Sequence, residues 1–223
     1  MKRMSLDLEF VDNVAVLRFD DGKRNVFSSD VIADFNAALD EVEARSAALC
    51  WIGREGCFSA GFDIKVVAGD DLQAAAALVR LGGQLAYRVL CFPRPVVCAV
   101  TGHALALGAI MLVCADKRIG TAGDFKLGTN ETQIGMALPV FGYEPAAWRL
   151  SEAHRFESIV AGAIHDPDMA HAAGFLDEVV TAEEVMERAM GHAARLGALP
   201  AEAYAANKLA SRAIPIERVK TSL

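Results

Sequence analysis

The residues from Val96 to Gly120, VVCAVTGHALALGAIMLVCADKRIG, form the longest apolar stretch of the chain. The run opens β-rich (Val96, Val97, Ala99, Val100), breaks at Thr101-Gly102, and resumes with helical composition from Ala104 to Cys114 before Asp116 to Ile119. A buried strand, a tight glycine-bearing turn and a short buried helix is the economical arrangement. Such a junction leaves backbone N–H groups without acceptors, and the positive end of a helix dipole, near Ala106 to Gly108. Gly108 lets the backbone approach another molecule closely. Amides pointing into a dry pocket stabilise negative charge developing on an oxygen. Taken alone, however, the segment is described better as an ordinary core strand and helix with a structural glycine.

A chain of 223 residues that is 53% hydrophobic can bury a full core as one domain, with at most a small appendage. Its formal net charge of -7, with no run of Lys or Arg, argues against a nucleic-acid-binding face. The apolar stretch is too short and too interrupted to span a bilayer, so no membrane association is expected. The opening MKRMSLDLEF turns acidic before an apolar run can form, which argues against a secretory signal and for a cytoplasmic protein. Five cysteines (Cys50, Cys57, Cys91, Cys98, Cys114) lack CxxC spacing and have mostly apolar neighbours. They read as buried thiols in a reducing compartment. His154, His165, His171 and His192 show no metal spacing with each other or with a cysteine, so no metal is expected.

Leu6 to Phe10 and Val14 to Phe19, either side of Asp12-Asn13, predict a β-hairpin. Ser28 or Ser29 caps a helix whose apolar face is Val31, Ile32, Phe35, Ala38, Leu39 and Val42. Ala47 to Ile52 predicts the next buried strand. A long Ala/Leu helix follows from about Leu72 to Leu90, with Gly82-Gly83 weakening its middle. After the central helix, Asp116 to Gly120 and Phe125 to Gly128 read as short strands. Thr129-Asn130-Glu131-Thr132 is a polar island, and Pro139 to Pro145 a loop. Helical composition then dominates (146–151, 153–161, 167–173, 182–196, 200–213), with a short strand at Glu178 to Val180. The chain therefore divides into an alternating α/β part, 1–145, and a helical part, 146–223.

Three blocks, FSAGFDI at 58–64, TGHALALGAIMLVCADKRI at 101–119 and FKLGTNETQIGMALP at 125–139, resemble blocks of the crotonase superfamily, the enoyl-CoA hydratase/isomerase proteins. IVAGAIHDPDMAHAAGFLDEVV at 159–180 is similar to the family's block ending in AGLVDEVV. Ala201 to Lys208 fits its late helix, and Asn25-Val26-Phe27-Ser28 resembles its early NAL segment. The blocks run in family order over nearly the whole chain. The resemblance implies a crotonase-like spiral of β-β-α turns with a C-terminal helical region that mediates a homotrimer or dimer of trimers. It implies coenzyme A as part of a thioester substrate, with no separately bound cofactor. Two backbone amides would hold the thioester oxygen, those of Phe62, after Ala60-Gly61, and Leu107, before Gly108. Losing one such donor typically costs ~3 kcal/mol of transition-state stabilisation.

Two departures from the family pattern carry chemical meaning. Ala106-Leu107-Gly108 stands where the family has three glycines, which predicts a tighter pocket. Of the two catalytic acids of the hydratases, one falls on Ile110 and the other on Glu131, aligned through Leu127-Gly128, Ile134-Gly135 and Pro139. Hydration uses two carboxylates to activate water and protonate the α-carbon. Shifting a double bond from the 3- to the 2-position needs one proton shuttle, and desolvation suits a lone Glu to that role. The acid count therefore favours isomerase-type transfer, with hydration still possible. Thioester hydrolysis or decarboxylation on the same fold, and non-catalytic acyl-CoA binding, are the alternatives. Lys23, Arg24 and Lys65 are nucleotide-binding candidates. His103 is expected to be a structural residue, Tyr143 and Glu144 to be surface loop residues, and Asp116 and Arg118 to pair with each other. The end of the chain at Leu223, soon after Ala213-Ile214-Pro215, predicts a reduced trimer contact.

Overall fold

Alternating apolar and acidic residues at the start of the chain fold as the antiparallel hairpin β1 (Leu6–Val11) and β2 (Val14–Phe19), turned at Asp12 with φ +51°. The structure, a computed structural model, describes residues 5–223. Residues 1–4, on which the argument against a secretory signal partly rests, lie outside the described residues. The spiral follows in repeating turns. β3 (Val26–Phe27) leads to α1 (Ser29–Arg45), whose cap is Ser28, with Val31 N donating to Ser28 Oγ at 3.3 Å. Next come β4 (Ala48–Ile52), β5 (Gly56–Ser59), β6 (Gly61–Phe62), α2 (Ile64–Val67) and α3 (Leu72–Cys91). The third turn is β7 (Val96–Val100), β8 (Gly102–Leu105) and α4 (Leu107–Cys114), the strand-turn-helix expected from the long apolar stretch. The fourth holds β9 (Lys117–Thr121), β10 (Leu127–Gly128) and α5 (Val140–Arg149). The rest is α6 (Pro167–Ala173), β11 (Glu178–Val180), α7 (Val185–Gly197), α8 (Ala201–Ser211) and α9 (Ala213–Ser222).

The large sheet has the order β1-β2-β4-β7-β9-β11, and every pairing after the hairpin is parallel. A second parallel sheet, β10-β8-β5, and the pair β3-β6 collect the second strand of each turn. Strands buried on both faces read as continuous apolar runs, which is why β4 and β7 are buried at every position. All eight residues of α4 are buried, in keeping with a helix that carries no polar face. Gly108 in its first turn lies so close to β5 that a Cβ there would stand 2.5 Å from the Ser59 carbonyl oxygen. Ala106, just before the helix, is held at φ +49° and ψ -123°, a conformation that penalises any residue with a Cβ. The family's glycine at this place would carry no such strain.

Two secondary-structure expectations are corrected, and one further helix is added. Pro139 to Pro145 is not a loop. Pro139 caps α5, and Gly142 N and Tyr143 N both donate to the Pro139 carbonyl, at 2.8 and 2.9 Å. Gly142 and Pro145 signalled a break, but tertiary packing overrides them: Gly142 sits where a Cβ would come within 2.7 Å of Ile110 Cδ1. The segment 153–161 is a 3-10 turn (Glu152–His154) and a π-helical turn (Phe156–Val160) instead of one helix. The residues after Ala213 form α9, with Pro215 in its first turn, where a proline is tolerated.

Asp116 and Arg118 do not pair with each other, because Asp116 lies before β9, where the C-terminal helices reach it, whereas Arg118 lies within β9 and meets Asp177 beside β11. Arg118 is fully buried against Asp177, Nη2 to Oδ1 2.9 Å, and burial pulls it down to about 9. Asp116 accepts from Lys208 Nζ at 2.7 Å, Arg212 Nη2 at 2.6 Å and Val96 N at 2.7 Å. Arg212 also reaches the carbonyls of Leu90 and Cys114, at 2.9 Å each. This cluster ties the C-terminal helices to the far end of α4.

Two outcomes are expected. Replacing Asp116 by Ala leaves two buried cations without their partner and should destabilise the fold by about 3–5 kcal/mol in denaturant unfolding. Ala106→Gly should relieve the backbone strain, less the entropy cost of glycine, for a net gain of about 1 kcal/mol. That gain would read as a rise of about 2–4 °C in Tm.

Candidate active site

Glu131 follows β10 and opens a 3-10 turn, Thr132–Ile134; its carbonyl accepts from Ile134 N at 3.1 Å and Met136 N at 2.9 Å. The segment is clamped from behind. Leu127 and His165 exchange backbone bonds at 2.9 and 2.8 Å, and Thr129 Oγ1 donates to the Ser158 carbonyl at 2.9 Å. Ser158 Oγ and His165 Nε2 are 2.9 Å apart. With its backbone fixed, the Glu131 side chain is carried into the interior. The residue is only 6% exposed, and its Oε2 has no hydrogen-bond partner. Burial therefore raises its pKa above the usual 4.5.

The carboxyl lines an apolar cavity of about 370 Å³ together with Ala60, Phe62, Ala106, Ile110 and Pro139. Ile110 thus faces the same space as Glu131, and among the described residues no second carboxylate lines it. Asn130 lines it too, and its Oδ1 is a buried acceptor without a donor. The sequence had marked this residue only as part of a polar island. Its neighbour Glu131 was the one available signal.

The amide of Phe62 comes from the end of β6 and that of Leu107 from the start of α4. Gly61 packs directly on the start of α4, and a Cβ there would lie 3.1 Å from Leu107 N. Leu107 is the first residue of α4, so its N–H has no acceptor within the helix, and Ala106 offers no side-chain cap. On β6, Asp63 N donates to Phe27 O at 3.1 Å in the ladder with β3. Successive amides of an extended strand point to opposite sides, so the N–H of Phe62 faces away from β3. The Phe62 ring and the Leu107 side chain also meet at one place, Gly82 of α3, where a Cβ would lie 2.4 Å and 3.1 Å from them. Gly61, Leu107 and Gly108 form the backbone behind the cavity rather than its lining.

A second, basic cavity of about 580 Å³ adjoins the first and shares Arg24, Ala60 and Leu105 with it. Lys23, Arg54 and Lys126 line it, with Arg54 Nη1 donating to the Lys23 carbonyl at 2.6 Å. Arg54 and Lys126 were not legible as site residues, since only the stacking of β5, β8 and β10 brings their segments together. Lys65, by contrast, sits on α2 and lines neither cavity. His103 also lines the basic cavity, its Nδ1 accepting from Lys126 N at 2.9 Å.

The remaining candidates lie elsewhere. Tyr143 is exposed, and Glu144 pairs with Arg218 at 3.1 Å. His154, His171 and His192 bond to Ser151, the Leu176 carbonyl and Glu178. Among the described residues no His/Cys/Asp/Glu cluster could hold a metal ion, and no helix is long and apolar enough to cross a membrane. The five cysteines are free thiols. Burial pushes Cys50 and Cys114 up to about 12 and Cys57 to about 11, which makes them poor nucleophiles.

Comparison with known proteins bears on the family of the chain. Residues 9–219 match the family model described as enoyl-CoA hydratase/isomerase. A probable enoyl-CoA hydratase, echA17, of Mycobacterium avium is 31% identical over 190 residues, 82% of this chain and 72% of the relative. The crystal structure of an enoyl-CoA hydratase/isomerase family protein from Pseudomonas syringae is 40% identical, with a TM-score of 0.94 over 98% of this chain and 94% of that one. An Mtb enoyl-CoA isomerase structure is 35% identical, with a TM-score of 0.93 over 98% and 95% of the two chains. The names of these relatives divide between hydratase and isomerase, but the fold and the matched span converge, and the chain belongs to the enoyl-CoA hydratase/isomerase family.

Proposed function

We propose that this enzyme moves a double bond along an enoyl-CoA thioester, with Glu131 as its single acid/base. The observation that carries the reading is the buried Glu131 carboxyl, its Oε2 without a hydrogen-bond partner, sharing an apolar cavity with Ile110 where no second acid lies among the described residues. Glu131 takes a proton from the α-carbon of a 3-enoyl thioester, and the electron pair moves into the carbonyl to give an enolate. The amides of Phe62 and Leu107 are proposed to hold that oxygen, where preorganised donors act most strongly as charge develops. The protonated Glu131 then returns its proton to the γ-carbon, the electrons leave the oxygen, and the 2-enoyl thioester forms. A carboxylate whose pKa is raised toward the operating pH is a stronger base than a solvated one, and it is better matched to both accepting and returning a proton.

Lys23 and Arg24, with Arg54 and Lys126 beside them, are proposed to meet the phosphates of coenzyme A; the basic cavity adjoining the reaction cavity supports this. The proposed assembly is a homotrimer or dimer of trimers, for which the exposed Phe156 and Val160 supply apolar surface to cover. A cytoplasmic setting accords with five free thiols. One observation favours slow hydration as a second activity. Glu131 Oε2 and Asn130 Oδ1 are both acceptors in need of donors, and a water supplies two. Product analysis on 2-enoyl and 3-enoyl thioesters separates the two reactions.

Glu131→Gln should lower turnover of the 3-enoyl thioester by about 10²–10⁴-fold, measured as formation of the 2-enoyl product. Unchanged turnover would refute the assignment. The pH profile has a definite sign. Glu131 must be ionised to accept the first proton, and burial raises its pKa, so kcat/KM should fall toward acid with a limb centred above 4.5, the ordinary Glu value.

A further inference from the structure

The cavity around Glu131 is bordered by surfaces of opposite character. On one side, through Arg24, Ala60 and Leu105, it meets the basic cavity. Elsewhere three large apolar side chains line it while remaining open to solvent: Ile64 is 59% exposed, Ile134 51% and Met136 40%. None of the three lines the basic cavity. A side chain that both lines a cavity and faces solvent stands at a mouth, so on this side the mouth of the cavity has an apolar rim. The rim comes from two separate segments, α2 and the 3-10 turn with the loop after it. Neither α2 nor that turn buries any residue of its own. These elements add little to the core, yet they hold isoleucine and methionine in water at one place, which is unfavourable until something apolar covers them.

Resting on the reading of this cavity as the acyl-CoA site, we infer that the rim carries the tail of a long fatty acyl chain. The preferred substrate class is accordingly long-chain enoyl thioesters rather than short ones. The charge layout matches the ligand in order: an anionic nucleotide against Lys23, Arg54 and Lys126, reacting carbons beside Glu131, and an unsubstituted hydrocarbon leaving past Ile134 and Met136. Polar or charged tails find no partner among these rim side chains. A short acyl group stops before the rim and leaves it wet.

Titration calorimetry of the full chain with saturated, unreactive butanoyl-, octanoyl- and dodecanoyl-CoA tests the inference independently of turnover. Each thioester is kept below its micelle concentration, and free coenzyme A is the reference. Affinity should climb along the series, by about fourfold for each methylene fully buried and by less at the rim. Ile134→Asp, an exposed change the fold should tolerate, should cut the ratio of dodecanoyl to butanoyl affinity by about tenfold or more. Equal affinity for the three thioesters, or an unchanged ratio in I134D, would overturn the chain-length inference and leave the acyl-CoA reading standing. Failure of every thioester and of free coenzyme A to bind would overturn both. A shift in subunit assembly in I134D at an unchanged ratio would give the rim to a second copy of the chain, and also overturns the inference.

Discussion

The close seating of the start of α4 against β5 and β6 is the contact on which the rest of the molecule depends. Gly108 rests on the Ser59 carbonyl, and Gly61 rests on Leu107 N, with no room for a Cβ at either place. A fully buried helix has no polar face to anchor it, so its position is set by how near its first turn can come to the neighbouring strands. That approach is bought with a strained Ala106, and it leaves the first amide of the helix without an intrahelical acceptor. The same seating that closes the core thus fixes where the helix begins.

The other end of α4 is fixed by charge. Its last carbonyls, and Asp116 just beyond it, are gripped by Arg212, and Lys208 shares the same carboxylate. A buried cluster of this kind contributes little net stability against an apolar replacement, but it specifies where the C-terminal helices dock. Because α9 packs on α5, and α5 begins at Pro139 on the cavity wall, docking of the chain's end and shape of the cavity are coupled through one helix. Electrostatics at one end of α4 and steric contact at the other hold the central helix between the reaction cavity and the C-terminal region.

Within the cavity, the decisive quantity is the dielectric environment of one carboxyl. Burial shields the Glu131 carboxyl from bulk solvent and its Oε2 has no hydrogen-bond partner, so the neutral form is favoured more than in solution. A neighbouring Lys or Arg would have pulled its pKa the other way and made it a poor proton carrier. Ile110, on the far smaller scale of one side chain, withholds a second acid and keeps the surroundings apolar.

The sequence by itself determined the elements whose signal is local. The hairpin, the Ser28-capped helix, the buried strands and the strand-turn-helix at Val96 to Cys114 follow from periodicity and capping, which act between near neighbours. It also marked Glu131, since a polar island between apolar runs in a family-like block is visible without coordinates. Tertiary structure alone decided what depends on segments distant in the chain. It turned the Gly142 and Pro145 stretch into helix, because packing on Ile110 outweighs intrinsic propensity. It redirected Asp116 to Lys208 and Arg212 and Arg118 to Asp177, set Lys65 apart from the basic cavity, and brought Arg54 and Lys126 into it. A charge declares its sign in the sequence, but its partner is whichever opposite charge the packed sheets and helices carry within reach.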